Sequence, residues 1–173
     1  MEVIDNFLSE YYFKSIRDQV LSPDFPWYFN DHIVSLKNRG KGEFQFTHTL
    51  MTAEGVSPSP DQETYSNYYS VFIPVLQKLE AKKSFRIKAN LLSRTFFHRK
   101  SGYHRDIPRI GEHQTAIYYL NTNNGWTEFK KGGKVKSVAN RIVIFDSDLE
   151  HRGVTCTDEQ RRVVINFNYV LAL

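Results

Sequence analysis

The sequence predicts an α+β fold, a double-sheet jelly roll backed by the helices that precede it. Three observations carry that reading. Short β-like runs crowd the chain from residue 84 onward, helical spacing is concentrated before them, and 13 Phe and 10 Tyr among 173 residues suit sheets and rigid pockets better than a helical bundle. A chain of this length fits one domain and can bury a substantial core. With no internal repeat, low-complexity tract or linker to divide it, residues 1–173 read as a single domain, helical support over about 1–82 and jelly-roll core over about 84–171.

The elements follow in order. Ser9 can cap a first helix, after which Phe13, Ile16 and Val20 recur at helical spacing until "SPDFP" breaks the pattern. "GEFQFTHTLM" alternates Phe44, Phe46, His48 and Leu50 with period two, the signature of a half-buried strand. Residues 51–64, rich in Ser, Pro, Asp and Glu, read as a loop. In "DQETYSNYYSVFIPVLQKLEAK" Phe72, Val75, Leu76 and Leu79 share one helical face, and Pro74 imposes a kink or a late start. Then come "FRIKANLL", "RTFFH", "TAIYYLN", "WTEFK", "GKVKSV", "RIVIFDS", "HRGVT" and "RVVINFNYV", separated by Gly, Asn and Asp signals. "NTNNGW" is the clearest hairpin signal, because Asn124-Gly125 supplies two residues that tolerate the positive φ of a type I′ turn.

Composition narrows the function. The net charge of +4 permits an anionic ligand without demanding one. No apolar run approaches the ~20 residues of a membrane span. "MEVIDNFLSEYY" carries acids where a signal peptide has a basic segment, so the expectation is a soluble cytoplasmic protein with no membrane partner. Cys156 is the single cysteine, which leaves no intrachain disulfide and requires any metal site to use His, Asp and Glu. No histidine falls at a recognisable spacing from Cys156, so it reads as an incidental thiol rather than a nucleophile. The lone His32, His48, His98 and His113 read as structural or surface residues.

The chemistry concentrates in "SGYHRDIPR". On an extended segment residues i and i+2 project to one face, so His104 and Asp106 can converge on one ion. Alone, the pair reads first as a solvated ion pair or a turn-capping Asp, and the metal reading is the minority one. A third ligand would have to come from a distant strand, and "DLEHRGV" offers His151 just after the apolar run "RIVIF". Two histidines and one carboxylate occupy one face of an octahedral iron and leave positions open for substrate and oxygen. Ten and eleven residues after His151, "RRVVINFN" opens a strand with two arginines, either of which can hold a carboxylate by a bidentate pair. Core packing alone favours Arg161 as the inward one, because it would bring Val163, Ile165 and Phe167 inside; Arg162 would bring Val164, Asn166 and Asn168.

The order HxD, "IYYLN", Gly-Trp-Thr-x-Phe, "RIVIFDS…H" and "RRVVINFN" resembles the Fe(II)- and 2-oxoglutarate-dependent dioxygenases, in their prolyl 4-hydroxylase-like branch, and within it the small oxygenases encoded by bacteriophages. The likeness is dense over residues 84–171, and "VIDNFLSEYY" is similar to the opening helix of these enzymes. It implies a double-stranded β-helix, cupin-like, with His104, Asp106 and His151 as catalytic iron ligands. It implies further that Arg162, Tyr119 and Thr127 bind 2-oxoglutarate, Arg162 and Tyr119 at the distal carboxylate. The pattern places an arginine directly before the "VVINFN"-type strand, which selects Arg162. The implied cofactors are Fe(II), 2-oxoglutarate as cosubstrate and ascorbate as an accessory reductant, with O2 as oxidant. The implied reaction couples C–H oxidation to decarboxylation of 2-oxoglutarate to succinate and CO2, on a prolyl or other residue of a protein or peptide. Arg94, Arg99, Lys100, Arg105 and Arg109 motivate a nucleic-acid substrate as the alternative, and a non-catalytic jelly-roll binding module is the third reading. The sequence departs from the pattern before the HxD, where Phe96 or Phe97 stands near the expected tyrosine. Loops 51–64 and 99–112 are candidate lids over the site.

Overall fold

The computed structural model describes residues 1–34, 43–56, 61–107 and 113–171. Strand β1 (Glu2–Ile4) leads into helix α1 (Glu10–Val20), followed by β2 (Tyr28–Asn30), β3 (Gln45–Thr52) and β4 (Thr64–Tyr65). A 3-10 turn (Tyr69–Phe72) runs into the short helix α2 (Ile73–Lys78), and the long strand β5 (Ala81–Ser93) opens the second half. There β6 (Gln114–Tyr119), β7 (Trp126–Phe129), β8 (Lys134–Lys136), β9 (Arg141–Asp146), β10 (His151–Val154) and β11 (Arg161–Leu171) complete the chain. The first 80 residues thus contribute strands as well as helices.

All the strand pairs are antiparallel, and they form two sheets. The large one runs β1-β9-β6-β11-β5-β3-β2, with β4 beside β3; the small one runs β10-β7-β8. Together they are the double-sheet jelly roll that the strand spacing predicted, in the double-stranded β-helix form that the resemblance implied. Alternation sorts the strands between two cores. Ala116 and Tyr118 of β6, Ile142 of β9, Ile87 and Ala89 of β5, and Val163, Ile165 and Phe167 of β11 face α1 and α2, meeting Phe13, Ile16, Val20, Phe72, Val75 and Leu79. Their neighbours Ile117, Tyr119, Val143, Phe145 and Val164 face the small sheet, meeting Phe129 and Val135. Because both faces of the large sheet are covered, β11 is buried along most of its length.

Local details follow sequence in most places. The first intrahelical bond of α1 runs from the Phe13 N–H to the Ser9 carbonyl, although the Ser9 hydroxyl makes no capping bond. Pro74 sits in the first turn of α2, so the helix starts late, and Glu80 leaves it with φ of 52°.

Two expected elements are corrected. "RTFFH" is not a strand: β5 ends at Ser93, and Phe96 and Phe97 are 90% and 75% exposed, with no sheet face to cover them. Asn124-Gly125 is not a type I′ hairpin turn, since neither residue has positive φ and the strands it joins lie in different sheets. Asp158 and Thr157 hold Asn124 instead. The tight hairpin lies between β7 and β8, where Gly132 and Gly133 take φ of 107° and 90°. Boundaries shift as well: β3 runs on to Thr52, and β4 occupies the end of the expected 51–64 loop, of which residues 57–60 lie outside the described residues.

Candidate functional site

The site is built on the even-numbered face of β5 and β11. Their register pairs Arg86 with Asn168, Lys88 with Asn166, Asn90 with Val164 and Leu92 with Arg162. A cavity of about 400 Å³ opens in front of these rungs, closed from the other side by His104, Asp106, Thr127, His151 and Gly153.

His104 and His151 face each other as an antiparallel bridge, each N–H donating to the other's carbonyl at 3.0 Å. The segment carrying the HxD is therefore fastened to the end of β10, which sets the two rings 4.7 Å apart and 46° from parallel. Asp106 reaches between them: its Oδ1 lies 3.7 Å from His104 Nε2 and 3.9 Å from His151 Nε2. All three donor atoms fall within 4.8 Å of one another. Each histidine directs Nδ1 at a backbone carbonyl, His104 at Gly102 (3.2 Å) and His151 at Leu149 (3.1 Å), an arrangement that places the proton on Nδ1 and leaves Nε2 as a lone-pair donor. His151 Nε2 is buried with no hydrogen-bond partner, the orphan expected of a group that binds a metal.

The carboxylate is 5% exposed and held from behind, its Oδ2 accepting from the amides of Asn166 (3.1 Å) and Asn168 (3.2 Å), while Arg86 Nη2 lies 3.5 Å from Oδ1. Burial works to raise its pKa, but the adjoining His104 ring, His151 and Arg86 hold it well below the usual carboxylate range. Burial pushes the His151 imidazole down, against the attraction of Asp106, so it stays neutral. Two imidazoles with an ionised carboxylate are a donor set that suits a non-haem divalent iron. Lys88 is pushed down to about 8, first by burial and then by Arg86, with Asp106 opposing.

At the other end of the cavity Arg162 is 3% exposed. Its Nε donates to Ser137 Oγ (2.9 Å) and its Nη2 to Thr127 Oγ1 (2.9 Å), which also accepts from the Tyr119 hydroxyl (2.8 Å). Among the described residues no carboxylate pairs with it. A buried guanidinium held by neutral hydroxyls leaves its charge for an anion from outside. Gly125 makes room for it, since a Cβ there would lie 2.8 Å from Arg162 Cδ and from the Val154 carbonyl.

No family model and no curated protein matches the sequence. Solved structures do match. A prolyl hydroxylase from Trichoplax adhaerens, in complex with a hypoxia inducible factor peptide fragment, superposes with a TM-score of 0.63 at 15% identity over 98% of this chain and 82% of its own. A prolyl-4-hydroxylase from Pseudomonas putida gives 0.60 at 14% identity over 98% and 91%, and an oxidoreductase of the 2OG-Fe(II) oxygenase family from Burkholderia pseudomallei gives 0.59 at 9% over 84% and 73%. The chain has the prolyl hydroxylase fold. At these identities the likeness concerns the fold, and the chemistry rests on the residues.

On that fold the six expected residues divide. His104, Asp106 and His151 converge, and Thr127 and Arg162 line the same cavity. Tyr119 is fully buried behind the cavity wall, where its hydroxyl donates to Thr127 and the Arg162 guanidinium lies 5.6 Å from its ring centre. Arg161 points to the opposite face, donating to the Leu21 carbonyl. Core packing favoured Arg161 as the inward residue; covered on both sides, the sheet has no single inside, so Val163, Ile165 and Phe167 pack on the helices while Arg162 faces the cavity. The expected lid 99–112 is partly pinned, by the Lys100–Val154 and His104–His151 bridges, and residues 108–112, with Arg109, lie outside the described residues. Lys100 pairs with Glu128 and Arg105 with Asp148, so neither is an unengaged cation. Sequence reasoning missed Arg86, Lys88, Asn90, Gln45 and His32 in the cavity wall. The alternation of "FRIKANLL", polar at 86, 88 and 90 between apolar neighbours, was the available signal.

Proposed function

We propose that the whole chain is one Fe(II)- and 2-oxoglutarate-dependent dioxygenase domain that hydroxylates a prolyl or other residue of a protein or peptide. The observation that carries this reading is the meeting, in one cavity, of a His104–Asp106–His151 donor cluster with a buried arginine that pairs with no carboxylate among the described residues. Iron, 2-oxoglutarate and O2 supply the oxidising chemistry when bound, with release of succinate and CO2. The chain's own residues orient and shield. His104, Asp106 and His151 would hold the metal, and three protein ligands would leave it able to take cosubstrate and O2. Arg162 holds the distal carboxylate of 2-oxoglutarate, Thr127 fixes the guanidinium plane, and Tyr119 holds Thr127 in place. Asn166 and Asn168 keep Asp106 aimed at the metal. The fold of two prolyl hydroxylases, one of them bound to a peptide fragment, supports a protein or peptide as substrate.

The test is anaerobic addition of Fe(II) and 2-oxoglutarate, followed by the weak visible charge-transfer absorption of the chelate. The wild type is expected to develop the band, His104→Ala to lose it, and Arg162→Met to need roughly tenfold or more 2-oxoglutarate to reach it. A wild type without the band would remove the reading. With O2 present, succinate release above the substrate-free rate identifies the substrate among peptides, free amino acids and oligonucleotides.

A further inference from the structure

The cavity holds more positive charge than the proposed metal and cosubstrate can use. Its lining carries four cationic side chains, Arg86, Lys88, Arg105 and Arg162, against a single carboxylate, Asp106. Divalent iron and dianionic 2-oxoglutarate cancel each other, so the imbalance survives their binding. Three of the four cations have an anion to answer. Arg162 takes the distal carboxylate, Arg105 lies 3.6 Å from Asp148, and Arg86 lies 3.5 Å from Asp106. Lys88 makes no ion pair among the described residues. Beside it Arg86 Nε is buried without a hydrogen-bond partner, although the same guanidinium leans on Asp106 through Nη2. Lys88 is part-buried in the cavity wall, and a cation there without a paired anion carries a desolvation cost that a bound anion would offset.

Position separates Lys88 from the cosubstrate arginine. Lys88 stands opposite Asn166, whose amide grips Asp106; Arg162 stands opposite Leu92, four residues further along β5. At ~3.3 Å per residue that is roughly 13 Å along the strand. The metal cluster adjoins the Lys88 rungs, and the cosubstrate arginine stands beyond them. An anion at Lys88 would therefore sit beside the metal, at the far end of the wall from the guanidinium that takes the distal carboxylate of 2-oxoglutarate.

We propose that Lys88, assisted by Arg86, is the carboxylate-binding subsite of the substrate, so that the molecule oxidised carries a carboxylate close to the carbon presented to the metal. The proposal rests on the oxygenase reading for the role of that ligand, though not for its binding. A cavity of about 400 Å³ that also accommodates 2-oxoglutarate suits an amino acid or an acidic side chain better than a nucleotide. One lysine and one arginine inside a cavity also differ from the open cationic track that follows a phosphodiester backbone.

Calorimetry of the full chain tests this, metal-free and saturated with Mn(II) and 2-oxoglutarate. The probes are N-acetylaspartate, a terminally blocked glutamyl tripeptide and inorganic phosphate; the two carboxylates distinguish a free acid from a residue in a peptide. At least one carboxylate is expected to bind both forms. Lys88→Met should weaken it about tenfold or more, and Lys88→Arg should retain it within about threefold. The affinity of Lys88→Met for 2-oxoglutarate should equal wild type, and Arg162→Met should show the reverse pattern. Absence of carboxylate binding at tens of millimolar, equal binding by wild type and Lys88→Met, tighter binding of phosphate, or loss of 2-oxoglutarate from Lys88→Met would each overturn the proposal. If wild type fails to bind 2-oxoglutarate while Lys88-dependent carboxylate binding persists, the oxygenase reading falls and the subsite stands.

Discussion

At the scale of the residue, Asp106 depends on groups sixty positions away. Asn168 is fully buried and divides its amide between Asp106 Oδ2 and Thr115 Oγ1 (3.1 Å). Replacing it with leucine keeps the volume and removes the donor, leaving Asn166 as the one amide on Oδ2, with Arg86 beside Oδ1. Asn168→Leu is expected to weaken Mn(II) binding by about 10–100-fold, measured by calorimetry, with the far-ultraviolet circular dichroism of wild type. The spacing of His104 and Asp106 was legible because a strand puts i and i+2 on one face. Their support was not, because Asn166 and Asn168 read as polar positions on a pocket-facing strand and nothing local says what they grip. Gly125 was legible as a glycine and misread as to cause. The sequence offered a turn, and the structure uses the missing side chain to admit Arg162.

At the scale of the element, β11 shows why alternation alone could not choose between Arg161 and Arg162. Its odd residues pack on the helices and its even residues face the cavity and the small sheet, so both registers look buried. The helix that covers one face decides the matter, and α1 was readable from Phe13, Ile16 and Val20. Ile16 is 1% exposed in that interface. Ile16→Ala should cost ~2–5 kcal/mol in urea denaturation through lost burial and the cavity left behind. It lies in the helix-facing core and does not line the cavity, so Mn(II) affinity of the folded fraction should match wild type. The misread "RTFFH" run has the composition of a strand, yet no neighbouring strand pairs with it beyond Ser93. Edge pairing is a tertiary fact that composition does not carry.

At the scale of the molecule, the cavity lies between the two sheets, with donors from the HxD segment, the small-sheet strands β7 and β10 and the large-sheet strands β5 and β11. No unfolded chain brings these groups together, so ligands bind the native state alone. Mn(II) with 2-oxoglutarate should raise the unfolding free energy by about 2.7 kcal/mol at a hundredfold excess over Kd, read as a higher Tm by differential scanning fluorimetry. Chelation with EDTA should return Tm to that of the metal-free protein, and His104→Ala should show no metal-dependent rise. The two sheets were legible in outline from the strand count and Asn/Gly/Asp punctuation. No helix among the described residues is long and apolar enough to cross a membrane.

The sequence by itself determined the strand-dense second half, the helical stripe of α1 and the residue types available to hold a metal, because periodicity and side-chain chemistry are local. Only the tertiary structure decided which of those residues meet. His151 lies 47 positions from His104 in sequence, and the bridge across the small sheet sets their backbones in hydrogen-bond contact. The pairing of β5 with β11 placed Lys88 against Asn166 and Arg162 against Leu92, dividing one wall into a metal end and an anion end. Strand register is set by long-range packing and hydrogen bonding, and a one-residue slip would have turned the whole of that wall away from the cavity.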